Sequence, residues 1–128
     1  MRLLLFFILV VLFTTREPQS YTGKWDWQND RNSLTLELSQ KDSIVVGFHD
    51  AIMLGGNRID MAVPGDTTIH GVVKKDGSLI VKVKSGYSNA VGTAKIRFVG
   101  KDSIYFEFIT PPNDEYWIPD KVTLVKEK

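Results

Sequence analysis

The sequence predicts an all-β fold, an antiparallel up-and-down meander barrel of about eight to ten strands. Apolar and polar residues alternate with a period of two through most of the chain after residue 20, which is typical of strands with one buried face. The breaks between these runs are short and carry turn residues such as Asp-Gly and Gly-Gly. Runs joined by such links pair with their sequence neighbours, and a long meander hides its edges best by closing on itself.

Residues 1–20 are expected to be a signal peptide that precedes the domain. A basic start, Met1-Arg2, is followed by an unbroken apolar run over 3–13 and a polar stretch over 14–20. The run is shorter than the roughly 20 apolar residues that span a bilayer. We therefore expect cleavage between Thr15 and Ser20, secretion to the periplasm or the extracellular space, and no stable membrane span after cleavage. A buried core segment and an uncleaved membrane anchor are the alternatives.

A single barrel domain is expected over residues 21–128. Its first strand places Tyr21, Gly23, Trp25 and Trp27 on one face. The residues expected to face inward on the later strands are Leu34, Leu36 and Leu38; Ile44, Val46 and Phe48; Ile59, Met61 and Val63; Ile69, Gly71 and Val73; Leu79, Val81 and Val83; Ala94, Ile96 and Phe98; Ile104, Phe106 and Phe108; Val122 and Leu124. Residues 116–118 would add a short tenth strand. A two-sheet sandwich is the alternative, although its crossovers usually need longer links.

Composition narrows the classes of partner. The chain has no cysteine, so the domain must be stable without disulfides. The 16 basic and 15 acidic side chains nearly cancel, and they become equal in number once residues 1–20, with Arg2, Arg16 and Glu17, are removed. Nucleic acid is not expected as a partner, because phosphate binding needs a basic excess or stripe. A small basic patch of lysines at 74, 75, 82 and 84 is interpreted as solvated strand positions, and no cofactor motif is present.

The first strand resembles the opening of the calycin barrels, the group of lipocalins, fatty-acid-binding proteins and avidins. Gly23-Lys24-Trp25 is similar to their Gly-x-Trp start, and Asn29-Asp30 after it is also similar to the avidin opening. The resemblance implies a lipocalin-like barrel whose tryptophan lies inside, near one end, with a small apolar ligand at the open end. It also implies a late-strand Lys or Arg packed on that tryptophan, a role that Lys126 could fill. The avidin residues that bind biotin have no match here.

Ligand binding is the first functional hypothesis. A small apolar or amphipathic molecule would lie in the barrel interior, lined by Trp25, Trp27, Phe48 and Phe106. The Pro-rich loop 111–119 carries Tyr116 and Trp117, which would form the lip of the barrel mouth or plug it. These aromatic side chains are also large enough to fill a small barrel completely. In that case the alternative is a protein-binding accessory or inhibitor barrel in the envelope or outside the cell, acting through its surface loops.

An enzyme or metal site is the less favoured hypothesis, and no catalytic residue is assigned. His49 and His70 are the only histidines, and with Asp50 or Asp60 they could hold a metal ion if their strands were close. No closely spaced histidine motif supports this. No Gly-x-Ser-x-Gly elbow marks a nucleophilic serine either. The expectation is therefore a binding protein rather than an enzyme.

Overall fold

The computed structural model describes residues 19–128, and the predicted signal peptide up to residue 18 lies outside these residues. The described chain forms nine strands, which are β1 (Gly23–Gln28), β2 (Ser33–Lys41), β3 (Ile44–Met53), β4 (Arg58–Met61), β5 (Ile69–Val73), β6 (Leu79–Lys84), β7 (Val91–Phe98), β8 (Ser103–Thr110) and β9 (Lys121–Lys126). One 3₁₀ turn, Leu54–Gly56, joins β3 to β4. In this part of the chain no helix has the length and apolar character needed to cross a membrane.

Eight of these strands close into a barrel. Antiparallel pairs run in sequence order from β1 through β2, β3, β5, β6, β7, β8 and β9, and β9 pairs with β1 to complete the ring. Strand β3 is long enough to serve two partners: its first half pairs with β5 and its second half with β4. The prediction of an all-β meander barrel with eight to ten strands is confirmed. The predicted short strand over 116–118 is wrong, because these residues lie in the β8–β9 loop.

The barrel interior is a continuous apolar cluster. Its largest fully buried members are Trp25, Tyr21 and Phe106, each at most 1% exposed. The predicted inward faces of β1, β2 and β5 to β9 are confirmed: their apolar residues are buried or pack against this cluster, as in Leu36 of β2 and Ile96 of β7. Most apolar residues of these strands alternate with polar ones, and this fixed the strand orientation, because a slip of one residue would expose most of the apolar set.

The predicted inward faces of β3 and β4 are wrong. Ile44 and Val46 are 50% and 43% exposed, and Ile59 of β4 is 48% exposed. The opposite face of each strand points inward and carries His49 and Asp60, both 0% exposed. Two polar residues have therefore taken the interior positions that the alternation assigned to aliphatic side chains. The hydrogen bonds described below account for this reversal.

Two glycines allow neighbouring strands of the barrel wall to approach each other closely. A Cβ atom on Gly71 of β5 would lie 2.0 Å from the carbonyl oxygen of Ile80, and one on Gly47 of β3 would lie 2.0 Å from that of Glu37. Any larger residue at either position would collide with the backbone of the neighbouring strand. Glycine in a strand interior commonly marks such a close approach at a barrel corner.

Tyr21 closes one end of the barrel. Its ring stacks on Phe98 at 4.3 Å between centroids, and its hydroxyl donates a hydrogen bond of 2.7 Å to the carbonyl of Gly77. The carbonyl of Tyr21 accepts a 2.9 Å bond from Nε1 of Trp25. Burial, aided by the nearby Asp76 carboxylate, raises the pKa of Tyr21 to about 12. Residues in and just before β1, the first strand of the barrel, therefore close this end.

Candidate functional site

Asp60 is the centre of a buried polar network at the other end of the barrel. One carboxylate oxygen accepts hydrogen bonds from Nε2 of His49 at 2.8 Å and from the backbone N–H of Gly86 at 2.6 Å. The other accepts from the hydroxyl of Ser85 at 2.6 Å and from the backbone N–H of Trp117 at 3.0 Å. These four donors occupy the acceptor sites that a carboxylate offers. Asp60 thus ties β3 and β4 to the β6–β7 and β8–β9 loops.

The hydrogen bonds keep Asp60 ionised in spite of its burial. Burial is the largest single influence and raises the pKa of Asp60, since it disfavours the charged form. The bonds from His49, Ser85, Trp117 and Gly86 together outweigh burial, so the pKa of Asp60 lies below its ordinary value of 3.8. A buried charge is tolerated when its lone pairs are paired in this way.

His49 extends the network to the segment before β5. Its Nδ1 lies 2.7 Å from the hydroxyl oxygen of Thr68, and that oxygen also accepts a 3.2 Å bond from the backbone N–H of His49. A neutral imidazole with its hydrogen on Nε2 satisfies both contacts: Nε2–H donates to Asp60, and Nδ1 accepts from the Thr68 hydroxyl. With Thr68, the network joins five separate segments of the chain.

This arrangement is suited to holding loops in place rather than to nucleophilic catalysis. The Ser85 hydroxyl donates to Asp60, so the imidazole is not placed to take its proton as in a Ser-His-Asp triad. The hydroxyl that does contact the imidazole belongs to Thr68, which is only 3% exposed. Ser85 and His49 are fully buried, so a substrate has no access to them.

The structure separates the two histidines proposed for a metal site. His49 points into the barrel beside Asp60, whereas His70 is exposed on the outer wall of β5. Asp50 lies on the opposite face of β3 from His49 because neighbouring strand residues alternate. Among residues 19–128, no three His, Asp or Glu side chains are grouped in a way that could hold a metal ion. Of the predicted set, only His49 and Asp60 are brought together.

The aromatic residues predicted to line an interior ligand site have different surroundings. Trp25 and Phe106 are buried in the core cluster, and Trp27 is partly buried against it. Phe48 lies on the outer wall of β3, where it faces Glu37 of β2, so its assignment to the barrel interior is wrong. The four residues therefore do not share one cavity.

Tyr116 and Trp117 lie in the β8–β9 loop, at the point where this loop covers the end of the barrel that contains Asp60. The ring of Tyr116 packs edge-on against Phe108 at 5.5 Å, which links the loop to the core. Trp117 is held between Arg58, whose guanidinium lies 5.1 Å from the ring centroid, and Tyr87, whose ring meets it edge-on at 6.0 Å. These contacts fix both side chains against the barrel, and with Asp60 they anchor the loop.

The outer wall around β5 carries aliphatic and cationic side chains next to each other. We call it the β5 face and define it by two rows of cross-strand neighbours running from β3 to β7, which are Ile44–Val72–Ile80–Lys95 and Val46–His70–Lys82–Thr93. A groove of about 340 Å³ crosses it, with Gly71 at its floor. The other depressions found on the described chain, of about 320 to 510 Å³, also open to solvent on its outer surface.

Sequence reasoning found His49 and Asp60 but missed the partners that explain them. Thr68, Ser85 and Gly86 lie 8 to 26 positions from Asp60 along the chain, in loops without a recognisable motif. The available signal was the hairpin around the Gly55-Gly56 turn, which places Ala51 opposite Asp60 and gives the acid a small inward neighbour. That register puts Ala51 and Asp60 on the same face, but it does not by itself decide whether this face is the inner one.

Lys126 lies against the ring of Trp25, as the calycin resemblance implies for a basic residue of a late strand. Its ammonium is 5.7 Å from the ring centroid of Trp25, within the range of a cation–π contact. Gly23 leaves room for the lysine, since a Cβ there would come within 2.7 Å of Cε of Lys126. This geometry explains the Gly-x-Trp spacing locally, and the calycin assignment itself stays a prediction.

Comparisons of the chain with protein-family models, curated proteins and solved structures found no match.

Proposed function

We propose that the protein is a binding module that contacts a partner protein through the outside of its barrel, on the β5 face and the adjoining wall of β3 and β4. The observation that carries this proposal is the reversal of β3 and β4. Aliphatic side chains such as Ile44 and Ile59 face water, while His49 and Asp60 occupy the interior. Exposing this apolar area gives up burial free energy, so its concentration on one side of the barrel needs an explanation.

The exposed apolar side chains are unevenly distributed. Of the twelve large ones in the described part of the chain, seven lie between Ile44 and Val72. The remaining five lie in five different loops and strands that follow β6, and isolated residues of that kind are normal on any protein surface. Contiguous apolar surface with polar neighbours is instead typical of protein–protein contact sites.

Binding of a small apolar ligand inside the barrel is less well supported. Ligand pockets usually enclose about 300–1,000 Å³ and surround most of the ligand. Here Trp25, Tyr21 and Phe106 occupy the interior, and an eight-stranded barrel has room for side chains or one small ligand. A ligand would have to displace these rings or the loop held by Asp60.

Site-specific photo-crosslinking tests the proposal. A benzophenone amino acid would replace Val46 on the β5 side, and in a matched variant it would replace Val125, which is 55% exposed on the opposite side of the barrel. Both variants would be irradiated in the producing cells and their surrounding fluid. A discrete adduct from position 46 and none from 125 is expected. Equal adducts, or none from 46, would contradict the proposal.

Tryptophan fluorescence distinguishes a ligand site inside the barrel from the proposed binding site on its outer face. Trp25 is buried in the core, so a molecule entering the barrel would alter its emission. We expect a panel of fatty acids and small apolar compounds to leave the emission unchanged. A saturable change that a Trp25→Phe variant lacks would favour the interior site over the outer face.

A further inference from the structure

The β5 face changes from aliphatic to cationic across the barrel wall. Its β3 side carries Ile44 and Val46, whereas Lys82 of β6 and Lys95 of β7 stand at the other side. Strands are about 4.8 Å apart, so the two regions are separated by about 10–15 Å. One extended segment or side-chain cluster of a partner can therefore contact both regions at once.

The strands of the cationic region supply no carboxylate, although Lys95 interacts electrostatically with Asp76 of the β5–β6 turn. Within residues 69–98, the outward positions of β5, β6 and β7 carry no carboxylate. Lys82 donates a 2.8 Å bond to the hydroxyl of Thr93, which leaves its charge uncompensated. Lys84, at the edge of the face, is paired with Asp66 at 3.0 Å. Glu107 on β8, opposite Lys95, marks the boundary of this cationic surface.

We infer that the partner presents an acidic and aliphatic protein segment to the β5 face. Its carboxylates would lie over Lys82 and Lys95, and its aliphatic side chains would enter the groove between Ile44, Val72 and Ile80. This inference rests on the proposed function and adds the chemistry of the partner. Complementary charge steers association and selects among partners, while apolar contact supplies affinity.

A protein segment fits this surface better than a lipid bilayer does. The aliphatic side chains line a recess whose floor is Gly71, rather than projecting from a loop tip or from an amphipathic helix. Surface binding to a bilayer depends on apolar groups that project into the headgroup region. A peptide can insert single side chains into the recess, which a planar membrane surface cannot do.

Model peptides test the inference. The probes are three capped eight-residue peptides in which Val alternates with Glu, Gln or Lys, added to ¹⁵N-labelled protein. We expect the Glu peptide to shift the amide signals of β5 and β6, with an affinity that falls several-fold as added salt shortens the screening length from about 10 Å to 3 Å. The double variant Lys82→Glu/Lys95→Glu should weaken this binding about tenfold, as expected for reversing two steering charges. The matched control Lys101→Glu/Lys121→Glu changes the same charge at exposed positions outside the face and should bind like the wild type.

The other outcomes overturn the inference in distinguishable ways. If the Gln or Lys peptide binds the β5 face as tightly as the Glu peptide, acidic selectivity is refuted while the proposed binding face is retained. If no peptide shifts these signals, the inference fails, and crosslinking from position 46 still decides the proposed function separately. If vesicles of phosphatidylglycerol bind through Lys82 and Lys95 while the Glu peptide does not bind, the partner is a lipid surface instead.

Discussion

Replacing Asp60 with alanine should be among the most damaging single changes in this barrel. The substitution removes the acceptor for four donors, on His49, Ser85, Gly86 and Trp117, at a site that is 0% exposed. It also leaves space that the carboxylate occupied. The loops after β6 and β8 would lose their common anchor, and the interior end of β3 would keep a buried imidazole without its partner.

The expected loss follows from the contacts. A buried donor left without an acceptor costs about 1–3 kcal/mol, but the four losses are not additive because the freed loops can recover water. A hydrogen bond to a charged group contributes about 1.5–3 kcal/mol, and because Asp60→Ala removes the shared acceptor of four donors we expect a loss of about 3–5 kcal/mol. Domains of this size are stable by about 5–15 kcal/mol, so this loss would remove a large share of the free energy of unfolding.

Urea unfolding followed by tryptophan fluorescence measures this loss, and Asp66→Ala is the matched control. Asp66 is also an ionised carboxylate that accepts hydrogen bonds, but its partner Lys84 and the carboxylate itself lie at the surface. Exposed pairs contribute little, so the control should unfold close to the wild type. A change at Asp60 no larger than that at Asp66 would refute a structural role for the network.

The Asp60→Asn variant gives a second test of the same site, which is the pH dependence of the free energy of unfolding. Because the pKa of Asp60 is lowered in the folded barrel, the unfolded chain binds a proton first as the pH falls. The stabilisation from the ionised carboxylate is therefore complete well above pH 3.8 and is lost as the pH falls through the lower folded-state pKa. The difference in unfolding free energy between wild type and Asp60→Asn should be constant near neutral pH and shrink in acid. A difference that grows in acid would contradict this assignment.

Two further predictions concern the barrel wall and its Tyr21 end. Gly71→Ala places a Cβ 2.0 Å from the carbonyl oxygen of Ile80 and should destabilise the fold by about 1–3 kcal/mol in urea unfolding. Gly100→Ala meets no atom within 4 Å and should be neutral; equal effects at the two glycines would argue against the close approach of Gly71 to β6. With its pKa raised to about 12, Tyr21 should lower the stability of the barrel as the pH rises above its ordinary value of 10.0, because the unfolded chain loses the phenolic proton first. Tyr21→Phe should lose about 1 kcal/mol at neutral pH, from its bond to Gly77, and should lack this alkaline component; an unchanged alkaline profile would assign the effect to another group.

Most of the barrel could be predicted because its strands obey one rule. In β2 and in β6 to β9 most apolar residues fall on one face and most polar or charged residues on the other, so Leu36, Val81 and Phe106 were expected to point inward. The short turns then fixed the order of pairing. Neither inference needs knowledge of distant contacts, which is why both were correct.

The orientation of β3 and β4 could not be predicted in the same way. Strand β3 is apolar on both faces, with Val45 and Ala51 on one and Ile44 and Val46 on the other, so hydrophobic burial hardly distinguishes them. The decision comes from Asp60, whose donors are brought together only when the barrel closes. Pairing of this buried acid outweighs the exposure of several aliphatic side chains, and the apolar outer wall that we propose as a binding face follows from it.

Solvent accessibility of the isoleucine methyl groups tests this account most directly. A soluble gadolinium chelate would be added to methyl-labelled protein, and the relaxation enhancement of each isoleucine measured by NMR. Ile44 and Ile59, 50% and 48% exposed, should relax strongly, whereas Ile69 and Ile96, both 0% exposed, should be protected. Protection of Ile44 and Ile59 would show that these strands face the other way, and it would contradict both the buried Asp60 network and the proposed outer binding face.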